Sequence, residues 1–207
     1  MASSKSSKPW LRRHVTDSYV RRAREEGYRS RAAYKLIDID AQERLLRPGG
    51  RVIDLGAAPG GWSQVAALRV RPGGLVVAVD FLPIVPISGV TLVGGDVREQ
   101  PTLALVRGAA GGQVDAVLSD LSPNLSGIRN VDQARGAELI ELAAEFACAV
   151  LKPDGALLVK AFHGEAYEDV IRMLKEKFFK VAVRKPPASR GESRETYVVA
   201  RMPKSAT

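Results

Sequence analysis

The chain has 207 residues, 45% of them apolar and 26% charged, and carries a formal net charge of +8. That length supplies one α/β domain with a proper core and leaves no room for a second full domain. With one cysteine and two scattered histidines, a disulfide framework and a zinc site are both excluded, and no metal is predicted.

The distribution of charge says more than its total. Residues 1–35 hold ten Lys or Arg against three acids, and residues 184–207 hold six against two. The body between them is therefore mildly acidic, a pattern that fits basic flanks closing on a nucleic acid. Trp10, Tyr19, Tyr28 and Tyr34 interleave with the first group of cations and are candidates to stack on bases. The opening MASSKSSKPWLRRH lacks the apolar stretch of a secretory signal. No later segment offers about eighteen consecutive apolar residues, so a cytoplasmic protein without a membrane span is expected.

In chain order, residues 1–14 are polar, basic and aperiodic, and are expected to form a loosely held arm. Residues 15–207 then read as a single domain. Residues 30–46 place Ala33, Leu36, Ile37, Ile39 and Leu45 at mostly helical spacing, closed by Pro48-Gly49-Gly50. Short β-branched runs follow, alternating with longer helical patterns: RVIDL, WSQVAALRV, LVVAVD, VTLVGGD, VDAVLSD, a long helix over about 131–151, and GALLVKAF. This alternation predicts an α/β fold, a mostly parallel sheet with helices on both faces. FFKVAVRK and ETYVVARM are separated by a Pro/Ser/Arg-rich loop too short for a crossover helix, so they are expected to pair antiparallel at the sheet edge. Cys148, within an apolar run, reads as a buried core thiol.

The segment Asp54-Leu55-Gly56-Ala57-Ala58-Pro59-Gly60-Gly61-Trp62 follows the first strand and opens a helix, where open α/β sheets bind ligands. Its spacing is not the G-x-G-x-x-G of a pyrophosphate loop. Asp54 instead offers a carboxylate to a cationic amino group, which suits the methionine moiety of S-adenosylmethionine. Asp80, ending the second strand, is placed to accept from ribose hydroxyls, and Asp96, after the third, from an adenine amino group. Three acids at successive strand ends with a glycine turn predict a nucleoside crevice.

SRAAYKL, DLGAAPGGWSQV, SDLSPNLSG, LVKAF and VRKPPASRGESRETYVVA together make the chain resemble the FtsJ/RlmE family of ribosomal RNA ribose methyltransferases, over nearly its whole length. The resemblance implies a Rossmann-like class I methyltransferase fold with a seven-stranded sheet. It also implies a catalytic tetrad at Lys35, Asp120, Lys160 and Glu195, with Lys160 as the base that takes the 2′-hydroxyl proton and the other three positioning it. It implies S-adenosylmethionine bound by Asp54, Gly56, Gly60, Trp62, Asp80, Asp96 and Asp120. The implied partner is 23S rRNA within the large ribosomal subunit, at a uridine of the A-loop, modified by a monomeric enzyme.

The chemistry stands beside the resemblance. A ribose hydroxyl is a poor nucleophile at neutral pH and needs a placed proton acceptor and an in-line geometry. Lysine is a base only when neutral, a form that burial and a neighbouring cation favour and nearby carboxylates oppose. The sequence leaves that balance open. Arg12, Arg13, Arg29, Arg31, Arg184, Lys185, Arg190 and Arg194 are the cations expected to hold RNA phosphates around the tetrad. Ribose methylation of tRNA is a near rival. A nicotinamide oxidoreductase lacks its glycine fingerprint, and a silent RNA-binding module has no need of four intact tetrad positions.

Overall fold

The computed structural model describes residues 17–124, 126–190 and 193–204. The apolar β-branched runs become the strands β1 (Arg51–Leu55), β2 (Leu75–Asp80), β3 (Val90–Gly94), β4 (Val114–Ser119), β5 (Leu151–Phe162), β6 (Phe178–Arg184) and β7 (Glu195–Pro203). They form one sheet in the order β3-β2-β1-β4-β5-β7-β6. All of β4, and every residue of β1 and β2 after the first, is buried, as strands covered on both faces require. The outer strands β3 and β6 are largely half-buried or exposed.

Helices α2 (Ala32–Glu43) and α3 (Gly61–Arg69) cover one face through Leu36, Ile39, Trp62 and Val65. On the other face, α4 (Gln100–Ala110), α5 (Arg129–Val150) and α6 (Tyr167–Lys177) contribute Val106, Phe146 and Leu174. Two helices pass without mention in the pattern of alternating runs. α4 ends on a glycine-and-alanine turn, Gly108–Ala110, and α6 buries only Val170, Ile171 and Leu174 among charged residues.

The last two strands do form the expected antiparallel pair at the sheet edge. Within the pair it is the inner strand, β7, that runs against the others, pairing with both β5 and β6. β7 has the continuous buried run Thr196–Ala200, while β6 is half-buried or exposed after its first residue and takes the edge. Cys148 is only partly buried.

A short helix α1 (Ser18–Glu25) precedes α2. Asp17 caps it by accepting from the Tyr19 amide at 3.0 Å. The rings of Tyr19 and Tyr28 pack on Tyr34 at 5.5 and 5.6 Å, and the Arg22 guanidinium lies 4.6 Å from the Tyr34 centroid. Tyr34 is thus buried in the joint between α1 and α2, which corrects its assignment as a base-stacking residue. Trp10 and the arm lie outside the described residues.

At the opposite end of the sheet from the strand carboxyl termini, Asp115 gathers three donors: the Arg51 amide at 2.8 Å, Arg47 at 2.6 Å and Lys152 at 2.8 Å. Burial alone raises its pKa, but Lys152, the Arg51 amide and Arg47 outweigh burial and hold it at about 2. A depressed carboxylate stabilises the fold above its unfolded pKa and loses that contribution as pH falls through the folded value. Asp115→Asn is therefore expected to cost about 2 kcal/mol at pH 7. The deficit against the wild type should narrow between about pH 4 and pH 2 in denaturant titrations. A deficit that does not change with pH contradicts this account.

Candidate active site

The strand order reverses between β1 and β4, because the chain runs outward from β1 to β3 and then returns to β4. At such a switch point the loops leaving adjacent strands diverge and open a crevice at their carboxyl ends. Asp54, Asp80, Asp96 and Asp120 all lie along this rim, within or just after β1, β2, β3 and β4.

Asp54 is fully buried. Its Oδ2 accepts from the Ser63 hydroxyl at 2.6 Å, while Oδ1 has no hydrogen-bond partner among the described residues. Burial, with Asp120 and Asp80 nearby and only Ser63 opposing, raises its pKa to about 7. A buried, half-satisfied carboxylate is costly unless a ligand completes it. Gly56 has φ +74°, and a Cβ there would stand 2.6 Å from Leu121 Cδ2. At Gly60, with φ +111°, a Cβ would meet Ile87 Cδ1 at 2.6 Å. Both turns thus need glycine, for conformation and for space. The donor set fits S-adenosylmethionine: an acceptor for its ammonium group at Asp54, and a carboxylate at Asp80 placed for ribose hydroxyls.

Asp80 already accepts from the backbone amides of Ala58 at 2.9 Å and Leu82 at 2.8 Å, which fixes its orientation. Asp96 is turned onto Arg98, whose amide it accepts at 2.9 Å and whose guanidinium depresses its pKa. Trp62 was expected among the cofactor residues. Its indole N–H donates to the Ala32 carbonyl at 2.8 Å, and its ring packs 5.6 Å from that of Tyr197. Its second position in α3 faces α2 and the sheet, so it supports the site from below.

The four tetrad residues come together from four elements. In the β5–β7 pair Lys160 lies opposite Tyr197, and Phe162 opposite Glu195. Strand alternation therefore puts all four side chains on one face, the face covered by α2 and α3. Lys160 Nζ sits 3.2 Å from Asp120 Oδ1 and donates to the Asp120 carbonyl at 2.7 Å. Lys35, from α2, pairs with Glu195 at 2.7 Å. Burial pushes the Glu195 pKa up, but Lys35, Lys160 and the Ser189 hydroxyl, which donates at 3.0 Å, outweigh it and keep the carboxyl ionised.

Tyr197 is the site residue that the motif reading missed. It is fully buried, donates from its hydroxyl to Asp120 Oδ1 at 3.1 Å, and carries Lys35 Nζ 5.6 Å from its ring centroid. Burial, reinforced by Asp120 and Glu195, drives the phenol pKa far above its ordinary value, so the group stays protonated and acts as a permanent donor. The available signal was its place two residues after Glu195 on a strand, hence on the same face.

Most of the cations expected to meet RNA already have protein partners. Arg29 donates to the carbonyls of Pro59, Val85 and Pro86, and so clamps the glycine turn to the loop after β2. Arg31 and Arg190 both bind Asp17, Arg184 pairs with Glu43, and Lys185 donates to the Ser193 carbonyl. Arg194 lines a cavity beside Lys160. Arg12 and Arg13 lie outside the described residues. Among the described residues no cluster of three or more His, Cys, Asp or Glu is placed to hold a metal ion, and no helix is long and apolar enough to cross a membrane.

A sequence profile described as FtsJ-like methyltransferase matches residues 28–202. The chain is 50% identical over 205 residues to "Ribosomal RNA large subunit methyltransferase E" of Marinobacter nauticus, covering 97% of this chain and 98% of that protein. A protein of the same name from Azoarcus is 52% identical over 200 residues, with 96% and 98% covered. Among solved structures, a Plasmodium falciparum protein described as a ribosomal RNA methyltransferase superposes with a TM-score of 0.77 at 27% identity, covering 86% of this chain and all of that one. Aeropyrum pernix fibrillarin, solved with bound S-adenosyl-L-methionine, shares the fold at a TM-score of 0.58 and 18% identity, over 84% of this chain and 75% of its own. With the match spanning the glycine turn, the four rim carboxylates and all four tetrad positions, the chain belongs to the FtsJ-like methyltransferase family.

Proposed function

We propose that the protein transfers a methyl group from S-adenosylmethionine to the 2′-hydroxyl of a uridine ribose in the A-loop of 23S rRNA, on the large ribosomal subunit. The observation that carries this reading is the Lys160–Asp120 ion pair at the rim of the crevice, with the Tyr197 hydroxyl on Asp120 and the Lys35–Glu195 pair beside the Tyr197 ring. The names of the half-identical relatives supply the RNA. The protein acts as a monomer in the bacterial cytoplasm, and the basic residues 1–14 serve as an arm that holds RNA phosphates.

S-adenosylmethionine supplies an electrophilic sulfonium methyl group. Asp54 would receive its ammonium group, and Asp80, oriented by two amides, would receive its ribose. Lys160, held at the rim by Asp120, would in its neutral form take the proton of the attacking ribose hydroxyl. Asp120 holds Lys160 at two points, through Oδ1 and the backbone carbonyl, so its amine has a fixed direction. Lys35 and Glu195 keep a second charge pair beside it. Tyr197 donates its hydroxyl proton to Asp120 Oδ1, the oxygen that faces Lys160 Nζ, and so fixes the carboxylate that aims the lysine.

Purified protein is expected to transfer labelled methyl from S-adenosylmethionine to large subunits that lack the mark. Lys160→Ala should abolish transfer while leaving cofactor binding intact by calorimetry. Transfer to tRNA and not to subunits overturns the ribosomal assignment.

Tyr197→Phe keeps the ring and removes the donor. It should slow transfer by about tenfold through kcat, with KM for the subunit and cofactor affinity unchanged. A wild-type kcat, or a loss carried by KM or by cofactor binding, rules out the positioning role.

Cofactor affinity should also depend on Asp54. Its carboxyl is protonated below about pH 7, so affinity should rise between about pH 6 and 8, and Asp54→Asn should flatten the dependence. An affinity that is level across this range in the wild type contradicts the assignment.

A further inference from the structure

An apolar recess lies on the substrate half of the sheet, beyond β4 and away from the glycine turn. It is a cavity of about 380 Å³ enclosed by the loop after β4, the first half of α5 and the β5–α6 connection. That volume is at the low end for small-ligand sites, about 300–1,000 Å³, so it suits one nucleoside and not a helix or a dinucleotide. Leu121, Ala137, Ile140 and Val170 give it apolar walls. Residues 160–164 run along its floor, and their first member is the lysine of the tetrad.

Three further features describe the occupant. The rings of His163 and Tyr167 lie 4.2 Å apart at 30°, and Phe162 is 41% exposed beside them, which offers aromatic surface at the mouth. Arg129 and Arg194 bring positive charge to the same opening. The one carboxylate in the lining, Asp132, already accepts from the Ser126 amide and hydroxyl and from the Gly127 amide. Within the recess the Gln133 carbonyl accepts from the Glu165 amide at 3.0 Å. Its amide group is thereby held in one orientation, with N–H donors for a carbonyl on a flat ligand.

We infer that this recess receives the nucleobase of the RNA nucleotide whose ribose is methylated, unstacked from its neighbours. The inference rests on the RNA methyltransferase reading above. The base and the 2′-oxygen are borne on adjacent carbons of one sugar, so a ribose presented to Lys160 places its base beside residues 160–164. Apolar walls and aromatic rings replace the stacking that the base gives up, and the cations at the mouth meet the flanking phosphates.

Gly136 supplies the test. It lies in the middle of α5 and lines the recess, and a Cβ there meets nothing within 4 Å. A side chain at this position fills the cavity without displacing the core or the tetrad, and a helix tolerates it better than glycine. Methyl transfer from labelled S-adenosylmethionine to large subunits lacking the mark is measured for the wild type, Gly136→Ala and Gly136→Phe, alongside thermal melting and cofactor binding.

Gly136→Phe is expected to lose about tenfold or more in kcat/KM for the subunit. Its melting temperature and cofactor affinity should not fall, and Gly136→Ala should stay within about twofold of the wild type. Wild-type rates in Gly136→Phe overturn the recess as a base site and leave the enzymatic reading standing. A loss accompanied by lower melting temperature or weaker cofactor binding, or an equal loss in Gly136→Ala, also overturns it. If the wild type transfers nothing to subunits, the enzymatic reading fails and the inference fails with it.

Discussion

A buried ammonium held by a half-buried carboxylate at the ends of two neighbouring strands is the contact around which the site is organised. Isolated in the interior, Lys160 would carry a desolvation cost of several kcal/mol. Asp120 offsets it twice, through Oδ1 at 3.2 Å and its backbone carbonyl at 2.7 Å. A second pair, Lys35 and Glu195, lies alongside, and the Tyr197 phenol spans the gap between them. Because burial keeps that phenol protonated, it donates to Asp120 Oδ1, the same oxygen that faces Lys160 Nζ, and so restrains the carboxylate from a second side. The arrangement leaves a lysine rigidly aimed and within reach of an RNA sugar.

Sheet topology makes this arrangement possible. The reversal at β1 and β4 separates two halves of one rim: Asp54, Gly56 and Asp80 on the cofactor side, and β4, β5 and β7 on the substrate side. Insertion of β7 antiparallel between β5 and β6 is what brings Glu195 and Tyr197 to the carboxyl end of β5. A parallel strand in that place would present its own carboxyl end there, and the E-T-Y segment would fall at the far side of the sheet.

The fold was largely legible, since every strand-like apolar run became a strand and the antiparallel pair followed from a loop too short to cross over. The tetrad was legible through residue types that are unusual for their setting, above all a lysine in the run LLVKAF. Tyr197 was harder to see, because an apolar ring in a strand is ordinarily core, and only the cross-strand register shows its hydroxyl between two carboxylates. The cations were misleading for a related reason. Composition marks Arg29, Arg31, Arg184 and Arg190 as basic, but not that Pro59, Asp17, Glu43 and their neighbours already occupy them. Most of these arginines tie loops and helix ends to one another. Of the eight cations expected to meet RNA, Arg194 is the one that the described residues place at the substrate recess, joined there by Arg129.

The central claim is that these paired charges act on a sugar hydroxyl and on nothing else in the RNA. Mass-spectrometric mapping of the large-subunit RNA after treatment with the protein and S-adenosylmethionine tests it directly. The account predicts one new nucleotide whose added methyl group lies on the ribose 2′-oxygen and protects the following phosphodiester from alkali. A methyl group on a base, or on a ribosomal protein, would contradict it.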